Sequence, residues 1–319
     1  MFKNNYLRYF ALCLMLCASD AQAQQKVTRL VIFAAGGPTE FIARTLAAKL
    51  GPLLGGIVVV DTRPGANGAV AAHSVVNAPA DGSTLLFASS GSLTITPTLQ
   101  KDLSYDTDRD LTPVSRVTIN ASAVAISAAL PANNIKEFVA YVRAQKEPVG
   151  FGSAGIGNLT HLWLEQFNAA TKLDILHVPY KGIAPSLQDI FGGRLAGAIA
   201  DFPAFVPHIK SGRLKVLGMV GAQRNAAVPD IPTLHELGFP GVDALSWYSV
   251  LAHAKTPPDV LARVNDAIAK ALADAEIKEK YLAMGSVASP SSPAEMTKLI
   301  QSERSRFAKI IADRKITVD

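Results

Sequence analysis

Short, uninterrupted runs of apolar and β-branched residues recur along the chain, separated by longer segments whose apolar residues have helical spacing. A strand that is apolar on both faces must be covered on both faces, which is typical of largely parallel sheets flanked by helices. The pattern therefore predicts an α/β fold. The candidate strands are "VTRLVIFA" (27–34), "IVVVD" (57–61), "TLLFAS" (84–89), "ASAVAIS" (121–127), "VGFGS" (149–153), "LDILHV" (173–178), "KVLGMV" (215–220) and "WYSVLAHA" (247–254).

Two breaks in this alternation, near 125–128 and 245–250, divide the chain into two lobes. We predict that residues 24–127 and 249–319 form lobe 1 and that residues 128–248 form lobe 2. Because the chain then crosses twice between the lobes, the two crossing strands would form a hinge. The C-terminal helices, predicted at about 258–274, 276–284 and 293–314, return to lobe 1.

The first 23 residues have the three features of a secretory signal peptide. Lys3 and Arg8 form a basic start, residues 9–18 are apolar, and Ala21-Gln22-Ala23 is a small-x-small cleavage site. The apolar run is shorter than the roughly 20 residues that a membrane-spanning helix needs. We therefore expect cleavage after Ala23 and a periplasmic location.

Cysteine content and charge argue against several classes of protein. Cys13 and Cys17 both lie in the predicted signal peptide, so the mature chain has no thiol for a disulfide, a metal site or a nucleophile. The formal net charge of the whole chain is +5, but the basic residues are scattered, which disfavours nucleic-acid binding. The six histidines are dispersed and lack metal-ligand spacing. We expect a monomer without metal or cofactor.

Two segments repeat the order strand, small-residue loop, helix. They are "LVIFAAGGPTEFIARTL" (30–46) and "VGFGSAGIGNLTHLWLEQF" (149–167). Such a loop directs free backbone N–H groups and a helix N-terminus toward an anion. One loop in each lobe would form an anion-binding cleft.

Two other interpretations of the second loop compete with this one. Residues 150–155 fit the dinucleotide pattern G-x-G-x-x-G, but that motif alone is weak and an exported protein rarely meets free NAD. An exported serine hydrolase using Ser153 is the alternative from another class. However, Ser153 is not in a G-x-S-x-G context, and no spacing shows that His161, His177 or Asp201 meets it.

Six segments in their order and spacing resemble the Bug family, the extracytoplasmic solute receptors of tripartite tricarboxylate transporters. They are "GGPTEFIAR" (36–44), "RPGANG" (63–68), "DGSTLL" (81–86), "GSAGIGNLTHL" (152–162), "HVPYKG" (177–182) and "PDIPTLHELG" (229–238). The resemblance implies a two-lobed periplasmic binding protein of type II, or Venus-flytrap, with a mixed, largely parallel sheet in each lobe. Such a receptor is not an enzyme. It closes on a small organic carboxylate and delivers it to membrane permease subunits or to a sensor.

In this family the loops matching residues 34–40 and 153–158 hold the ligand carboxylate. Backbone N–H groups at helix N-termini and side-chain hydroxyls would supply the hydrogen bonds. Tyr180 is added because it directly follows a strand, where side chains face the ligand crevice. The predicted ligand-binding residues are Ala35, Gly36, Gly37, Thr39, Glu40, Ser89, Ser90, Ser153, Ala154, Gly155, Asn158, Tyr180 and Asp201.

The chain departs from the family pattern at two acidic positions. Glu40 stands where the first loop usually has an aspartate, and Asp201 lies one place later than the usual acid of the second lobe. Asp201 either caps the helix near Pro203 or, together with Glu40, faces the cleft. In the second case it would disfavour a second carboxylate and accept a ligand amine or hydroxyl. Monocarboxylates and amino or heteroaromatic acids would then be preferred to citrate-like triacids.

Overall fold

Two mixed β-sheets, each covered by helices on both faces, form the protein. The computed structural model describes residues 26–35, 37–100, 102–242 and 245–317. The predicted signal peptide and Gly36 of the first loop lie outside the described residues. Within these ranges, no helix combines the length and the apolar character that crossing a bilayer requires.

The strands are numbered in chain order. They are β1 (Lys26–Ile32), β2 (Gly56–Thr62), β3 (Thr84–Ser89), β4 (Leu111–Asn120), β5 (Ser122–Ser127), β6 (Gly150–Ser153), β7 (Leu176–Pro179), β8 (Gly197–Asp201), β9 (Leu214–Met219), β10 (Ser246–His253) and β11 (Ser286–Ala288). The first sheet has the order β11-β4-β10-β3-β1-β2, and the second has the order β7-β6-β8-β5-β9.

The helices of the described residues are α1 (Gly37–Leu53), α2 (Ala69–Val76), α3 (Ser90–Thr94), α4 (Thr96–Leu99), α5 (Thr107–Asp110), α6 (Ile135–Ala144), α7 (Leu159–Thr171), α8 (Ile183–Phe191), α9 (Val206–Lys210), α10 (Pro258–Ala273), α11 (Ala275–Ala283) and α12 (Pro293–Asp313). Two 3₁₀ turns, Ala66–Gly68 and Phe202–Ala204, precede α2 and follow β8. The three predicted C-terminal helices agree with α10, α11 and α12 to within about one residue at each end.

Helices cover both faces of each sheet because the central strands are apolar on both faces. In β1, Leu30 and Ile32 pack against α1, α10 and α11, whereas Val31 between them packs against α2 and α12. In the second sheet, Val124 packs against α6 and α7, while Ala123 packs against α8 and its neighbours. These alternating contacts give each lobe its own core on either side of the sheet.

Strand direction is mixed in both sheets. β1 runs parallel to β2 and β3, and β6 runs parallel to β7 and β8. The other neighbours, β10 with β3 and β4, β11 with β4, and β5 with β8 and β9, are antiparallel. The predicted α/β fold with mixed sheets is confirmed, although the parallel share is smaller than expected. The reason is that β5 and β10, which enter each sheet from the other lobe, run against their neighbours.

The chain passes from the first sheet to the second at Ala121. β4 ends at Asn120 and β5 begins at Ser122, and Ala121 itself hydrogen-bonds to both sides through Gly285 O (2.8 Å) and Phe202 N (2.9 Å). Residues 122–127, predicted to belong to lobe 1, therefore lie in the second sheet, where β5 is buried between β8 and β9. We propose Ala121 as the first lobe boundary, with the return crossing over residues 220–245.

The sequence pattern did not predict three of the strands, β4, β8 and β11. β4 has polar residues at half-buried positions and contains Pro113 and Arg116, so it has no apolar run. β8 consists mainly of small residues, and β11 has only three residues. Their places in the sheets depend on pairing with β10, β5 and β4, which local patterning does not reveal.

Candidate functional site

A cavity of about 370 Å³ lies between the two lobes. The strands β3, β6 and β8 reach it with their carboxyl ends, since Ser89, Ala154 and Asp201 line its wall. Ligand sites of open α/β sheets commonly form at such strand ends. The cavity volume falls in the range of pockets that enclose small organic molecules.

The wall contributed by the first lobe carries the hydroxyl groups of Thr39, Ser89, Ser90, Ser246 and Tyr248. Thr39 lies in the first turn of α1, with its Oγ1 2.9 Å from Tyr248 Oη on β10. Ser89 Oγ accepts a hydrogen bond from Ser92 N (3.3 Å) and so caps α3. Ser90 is only 1% exposed, and its Oγ has no hydrogen-bond partner among the described residues. Because an unpaired buried hydroxyl costs about 1–3 kcal/mol, Ser90 stands to gain most from a bound ligand.

The wall contributed by the second lobe is the passage from β6 to α7. Asn158 caps α7, because its Oδ1 accepts from Thr160 N (3.1 Å), while Thr160 Oγ1 accepts from Ala154 N (2.8 Å). Asn158 Nδ2 also lies 3.5 Å from Asn67 Oδ1 in the first lobe. Thr160 thus fixes the loop, and the two asparagines bring the lobes into direct contact across the cavity.

The electrostatic character of the cavity comes from helix ends rather than from basic side chains. Residues of the first turns of α1 and α7, Thr39 and Thr160, line it. First-turn backbone N–H groups lack intrahelical partners, and the helix dipole adds positive potential there. Over the described part of the chain, the wall has no lysine or arginine and one carboxyl group, that of Asp201. These ranges also lack a cluster of His, Asp or Glu side chains arranged for a metal ion.

Asp201 ends β8 and faces the cavity. Its carboxylate accepts hydrogen bonds from Ser122 Oγ (2.9 Å) and, more weakly, from Ser246 Oγ (3.4 Å). Burial raises the pKa of Asp201 to about 6, although the two serine hydroxyls oppose the shift. The capping interpretation is wrong, because Asp201 makes no side-chain cap to the turn Phe202–Ala204. The β5–β8 register explains this, since it places Ser122 opposite Asp201.

A buried polar chain connects Asp201 to the lobe crossing. Asn120 Nδ2 donates to Ser246 Oγ (3.1 Å), and Ser286 Oγ donates to Asn120 Oδ1 (2.9 Å). Ser246 therefore joins Asp201 of the second lobe to the end of β4 in the first lobe. This places a titratable group of the cavity wall next to Ala121, where the chain changes sheet.

The structure brings about half of the predicted ligand residues to the cavity. Those on its wall are Thr39, Ser89, Ser90, Ala154, Asn158 and Asp201. Five other predicted residues lie off the wall; they are Ala35, Glu40, Ser153, Gly155 and Tyr180.

Glu40 and Tyr180 interact with neighbours outside the cavity. Glu40 accepts from Arg44 Nε (2.6 Å), one turn further along α1, because it follows Thr39 around the helix and away from the wall. Tyr180 Oη donates to Asp189 of α8, which also pairs with Arg194. β7 is the edge strand of the second sheet, so the residue that follows it is displaced from the cavity at the sheet centre.

The remaining four predicted residues are Ala35, Gly37, Ser153 and Gly155. Ala35 is exposed, and Gly37 begins α1. Gly155 has a φ of 136°, a left-handed conformation that suits glycine. Ser153 is fully buried, with its Oγ 2.6 Å from His177 Nε2. The serine and histidine that the sequence could not bring together do meet, but behind the cavity wall.

Several wall residues were missed because distant parts of the chain supply them. Asn67 belongs to "RPGANG", which reads as a turn, and it does adopt a left-handed φ of 49°. Its Nδ2 donates to Thr96 Oγ1 (2.9 Å). Ser246 and Tyr248 project from the same face of β10, and their two-residue spacing was the available signal.

Two α/β lobes that are joined by two chain crossings and enclose a solute-sized cavity define the class of periplasmic solute-binding proteins. The chain belongs, within that class, to the tripartite tricarboxylate transporter family receptors, whose family model matches residues 42–316. Protein BugT of Bordetella pertussis is 31% identical over 297 residues, which cover 93% of this chain and 91% of BugT.

Solved structures agree with this assignment. Rpa4515 of R. palustris, solved with adipate, superposes with a TM-score of 0.83 at 30% identity, covering 93% of this chain and 99% of that one. MatC of Rhodopseudomonas palustris, solved with bound malate, superposes with a TM-score of 0.77 at 28% identity, covering 89% of this chain and 99% of MatC. The predicted resemblance to the Bug family is confirmed.

Proposed function

We propose that this protein is a receptor that captures a small organic carboxylate between its lobes and delivers it to the membrane permease of a tripartite tricarboxylate-type transporter, or to a sensor. The observation that carries the proposal is Ser90. Its hydroxyl is buried and unpartnered among the described residues, and it lies on a wall that also receives the N-termini of α1 and α7. A carboxylate would accept hydrogen bonds from this hydroxyl and from backbone N–H groups.

Asp201 refines the proposed ligand class. A ligand anchored by one carboxylate near Ser90 would direct its other end toward the opposite wall. An amine or hydroxyl there donates to the Asp201 carboxylate, whereas a second carboxylate meets a like charge unless one of the two groups is protonated. We therefore propose a monocarboxylate bearing a hydrogen-bond donor, such as an amino or hydroxy acid, as the preferred ligand. The adipate of Rpa4515 and the malate of MatC support carboxylate binding in general.

We propose a periplasmic, monomeric receptor from which the signal peptide is removed after Ala23. The periplasmic character of related solved structures supports the location. N-terminal sequencing of the protein recovered from the periplasmic fraction tests it, and an intact Met1 would contradict it.

Ligand-dependent stabilisation tests the proposed function. Screening adipate, malate, glutamate, nicotinate and citrate by thermal shift should yield at least one acid that raises the melting temperature. A ligand present at 100 times its Kd stabilises the folded state by about 2.7 kcal/mol. The proposal would be contradicted if no acid raised the melting temperature and mass spectrometry found no acid copurifying with the protein.

Removal of the Ser90 hydroxyl should weaken binding of the acid from that panel that stabilises the protein most. We expect Ser90→Ala to raise its Kd roughly 10- to 100-fold, because a hydrogen bond to a charged group contributes about 1.5–3 kcal/mol. Ser249→Ala is the matched control. Ser249 is equally buried and its Oγ is likewise without a partner in the described structure, but it lies off the cavity wall. Equal Kd changes in the two variants, measured by calorimetry, would contradict a ligand contact at Ser90.

We propose that the protein is not a hydrolase, despite the contact between Ser153 and His177. The Ser153 side chain is fully buried and does not reach the described cavity wall, so a bound ester could not approach its Oγ. We expect no p-nitrophenyl acetate turnover above the rate of a denatured sample. Turnover that disappears in Ser153→Ala would support the hydrolase instead.

A further inference from the structure

A stacked pair of histidines lies directly behind the second-lobe loop of residues 153–158. His161 belongs to the first turn of α7, and His177 belongs to β7. Their ring centroids are 3.6 Å apart, and the ring planes differ by only 7°. His161 is 7% exposed and His177 is half-buried. Neither imidazole is on the described cavity wall, so neither contacts a ligand directly.

Each ring is hydrogen-bonded to the loop. Gly157 N donates to His161 Nδ1 at 3.2 Å, and Ser153 Oγ lies 2.6 Å from His177 Nε2. Ser153 Oγ in turn accepts from Gly155 N at 3.2 Å. The loop is therefore tied down at residues 153, 155 and 157. Ala154 lies between the hydrogen-bonded residues 153 and 155, and Asn158 directly follows residue 157. Both Ala154 and Asn158 line the cavity.

We infer that His161 and His177 are positioning residues of the ligand site, acting as a neutral, stacked pair of hydrogen-bond acceptors that fixes the conformation of the loop 153–158. This inference rests on the proposed function, since it assigns to the pair the shape of one wall of the proposed carboxylate site. The loop needs such restraint because Gly155 and Gly157 both have left-handed φ values, 136° and 66°, and glycine is otherwise free to leave them.

The hydrogen-bond pattern assigns opposite tautomers to the two rings. A backbone N–H can only donate, so His161 Nδ1 is unprotonated and its proton is on Nε2. Ser153 Oγ accepts from Gly155 N, and its own proton has two acceptors within reach, Gly155 O at 3.3 Å and His177 Nε2 at 2.6 Å. We assign the proton to the shorter contact, with His177 as the acceptor. The proton of His177 is then on Nδ1. Protonation of either accepting nitrogen would replace an acceptor with a donor and break the tie to the loop.

The charged groups around the pair are compatible with neutral rings. Glu165 Oε1 lies 3.7 Å from His161 Nε2, but Glu165 Oε2 pairs with Arg314 Nε of the C-terminal segment at 3.1 Å. The negative charge of Asp174 raises the pKa of Glu165 but does not contribute to the pKa shift of either imidazole ring. Burial lowers the pKa of both histidines to about 4, and the neighbouring His177 adds to this effect for His161. The pair therefore stays neutral where a histidine of an unfolded chain, with a pKa near 6.5, begins to be charged.

Nitrogen NMR of the imidazole rings tests the inference without any ligand. We expect His161 as the Nε2–H tautomer and His177 as the Nδ1–H tautomer, both neutral at pH 5.5. A charged ring at that pH, or the same tautomer in both rings, would overturn the inference. This readout is independent of whether the protein binds a carboxylate at all, so it separates failure of this inference from failure of the proposed function.

Paired amide substitutions provide the second test. The Oδ1 of asparagine takes the place of an imidazole Nδ1, whereas the Oε1 of glutamine takes the place of Nε2. We therefore expect His161→Asn to keep the acceptor for Gly157 N and His161→Gln to lose it. At position 177 the order is reversed, because His177→Gln keeps the acceptor for Ser153 and His177→Asn loses it. Both members of each pair abolish the ring stack, so a role in packing alone would rank them equally.

Amide hydrogen exchange and binding measure the reversal. Protection of the Gly157 amide should fall about tenfold in His161→Gln but less than threefold in His161→Asn, and protection of the Gly155 amide should fall correspondingly in His177→Asn but not in His177→Gln. Adipate and malate are the binding probes, with the same rank order expected for any Kd measured. His208→Asn is the control, because His208 packs on Phe191 in the same lobe but away from the cavity. The same rank order of Asn and Gln at both positions would overturn the inference.

Discussion

Asp201→Asn should change the protein's preference among acids and remove the pH dependence of their binding. Asparagine keeps the size of the side chain and an acceptor for Ser122, but it has no charge. We expect affinity for adipate at pH 8 to rise and affinity for glutamate to fall, each roughly 10- to 100-fold. This corresponds to about 1.4–2.8 kcal/mol, a reasonable value for one charge pair at an effective dielectric constant near 20.

The pH dependence of the unsubstituted protein follows from the pKa of Asp201, which burial raises to about 6. A second ligand carboxylate favours protonated Asp201, so adipate affinity should fall as pH rises above 6. A ligand ammonium favours the ionised form, so glutamate affinity should fall as pH drops below 6. Calorimetry from pH 5 to 8 measures both slopes, which have opposite signs. Citrate binding that neither pH nor Asp201→Asn alters would contradict this assignment.

Asp189→Asn is the control for a simple loss of negative charge from the second lobe. Asp189 pairs with Arg194 and Tyr180 on the outer side of α8, and it does not line the described cavity. It should leave the ratio of adipate to glutamate affinity unchanged. A similar change of that ratio in both variants would mean that net charge, rather than the position of Asp201, determines ligand preference.

The sequence predicts those parts of the fold whose burial can be recognised from a local run of apolar residues. β3 and β5 are apolar at their four central positions because helices cover both faces, so the pattern marks them directly. β4 instead owes its place to β10 and β11, its partners on either side, and its own polar residues conceal it. The lobe boundary that we propose at Ala121 is hard to predict for the same reason, since it depends on recognising where β4 ends.

The residues of the candidate site likewise divide into those that the local sequence predicts and those that only tertiary contacts place there. Loops between a strand and a helix predict the parts of the wall at Thr39, Ser90 and Asn158, because the chain carries each loop directly to a helix N-terminus. Asn67 is placed at the site by its contact with Asn158, which is 91 residues away in the chain. The contact between Ser153 and His177 needs the parallel register of β6 and β7, and a one-residue slip of that register would separate them.

Acidification from pH 7 to 4 should destabilise the protein through the histidine pair. Both histidines have a folded pKa of about 4, below the unfolded value of about 6.5, so the unfolded chain binds protons that the folded chain does not. Their stabilisation is complete above pH 6.5 and is lost as pH falls toward 4. Asp201 acts in the opposite direction, because its folded pKa is raised to about 6 and the folded chain takes up its proton first. Glu165, whose pKa burial also raises, adds to the effect of Asp201.

Two histidines shifted downward outweigh Asp201, which is shifted upward by a similar amount, and Glu165 reduces the difference further. At 1.36 kcal/mol per pKa unit, and with a discount for the half-buried His177, the net loss is about 2–4 kcal/mol, or a decrease of about 5–15 °C in melting temperature. Carboxylates whose pKa is lowered by ion pairs, such as Asp61, lose their contribution mainly below about pH 5 and add to the decrease only at its acid end, equally in the parent protein and the variants. Urea unfolding at pH 7, 6, 5 and 4 measures the free energy. The double variant His161→Asn, His177→Gln should lose the decrease, and Asp201→Asn should make it steeper because the compensating proton uptake is gone. A decrease of the same size in all three proteins would show that other groups cause it.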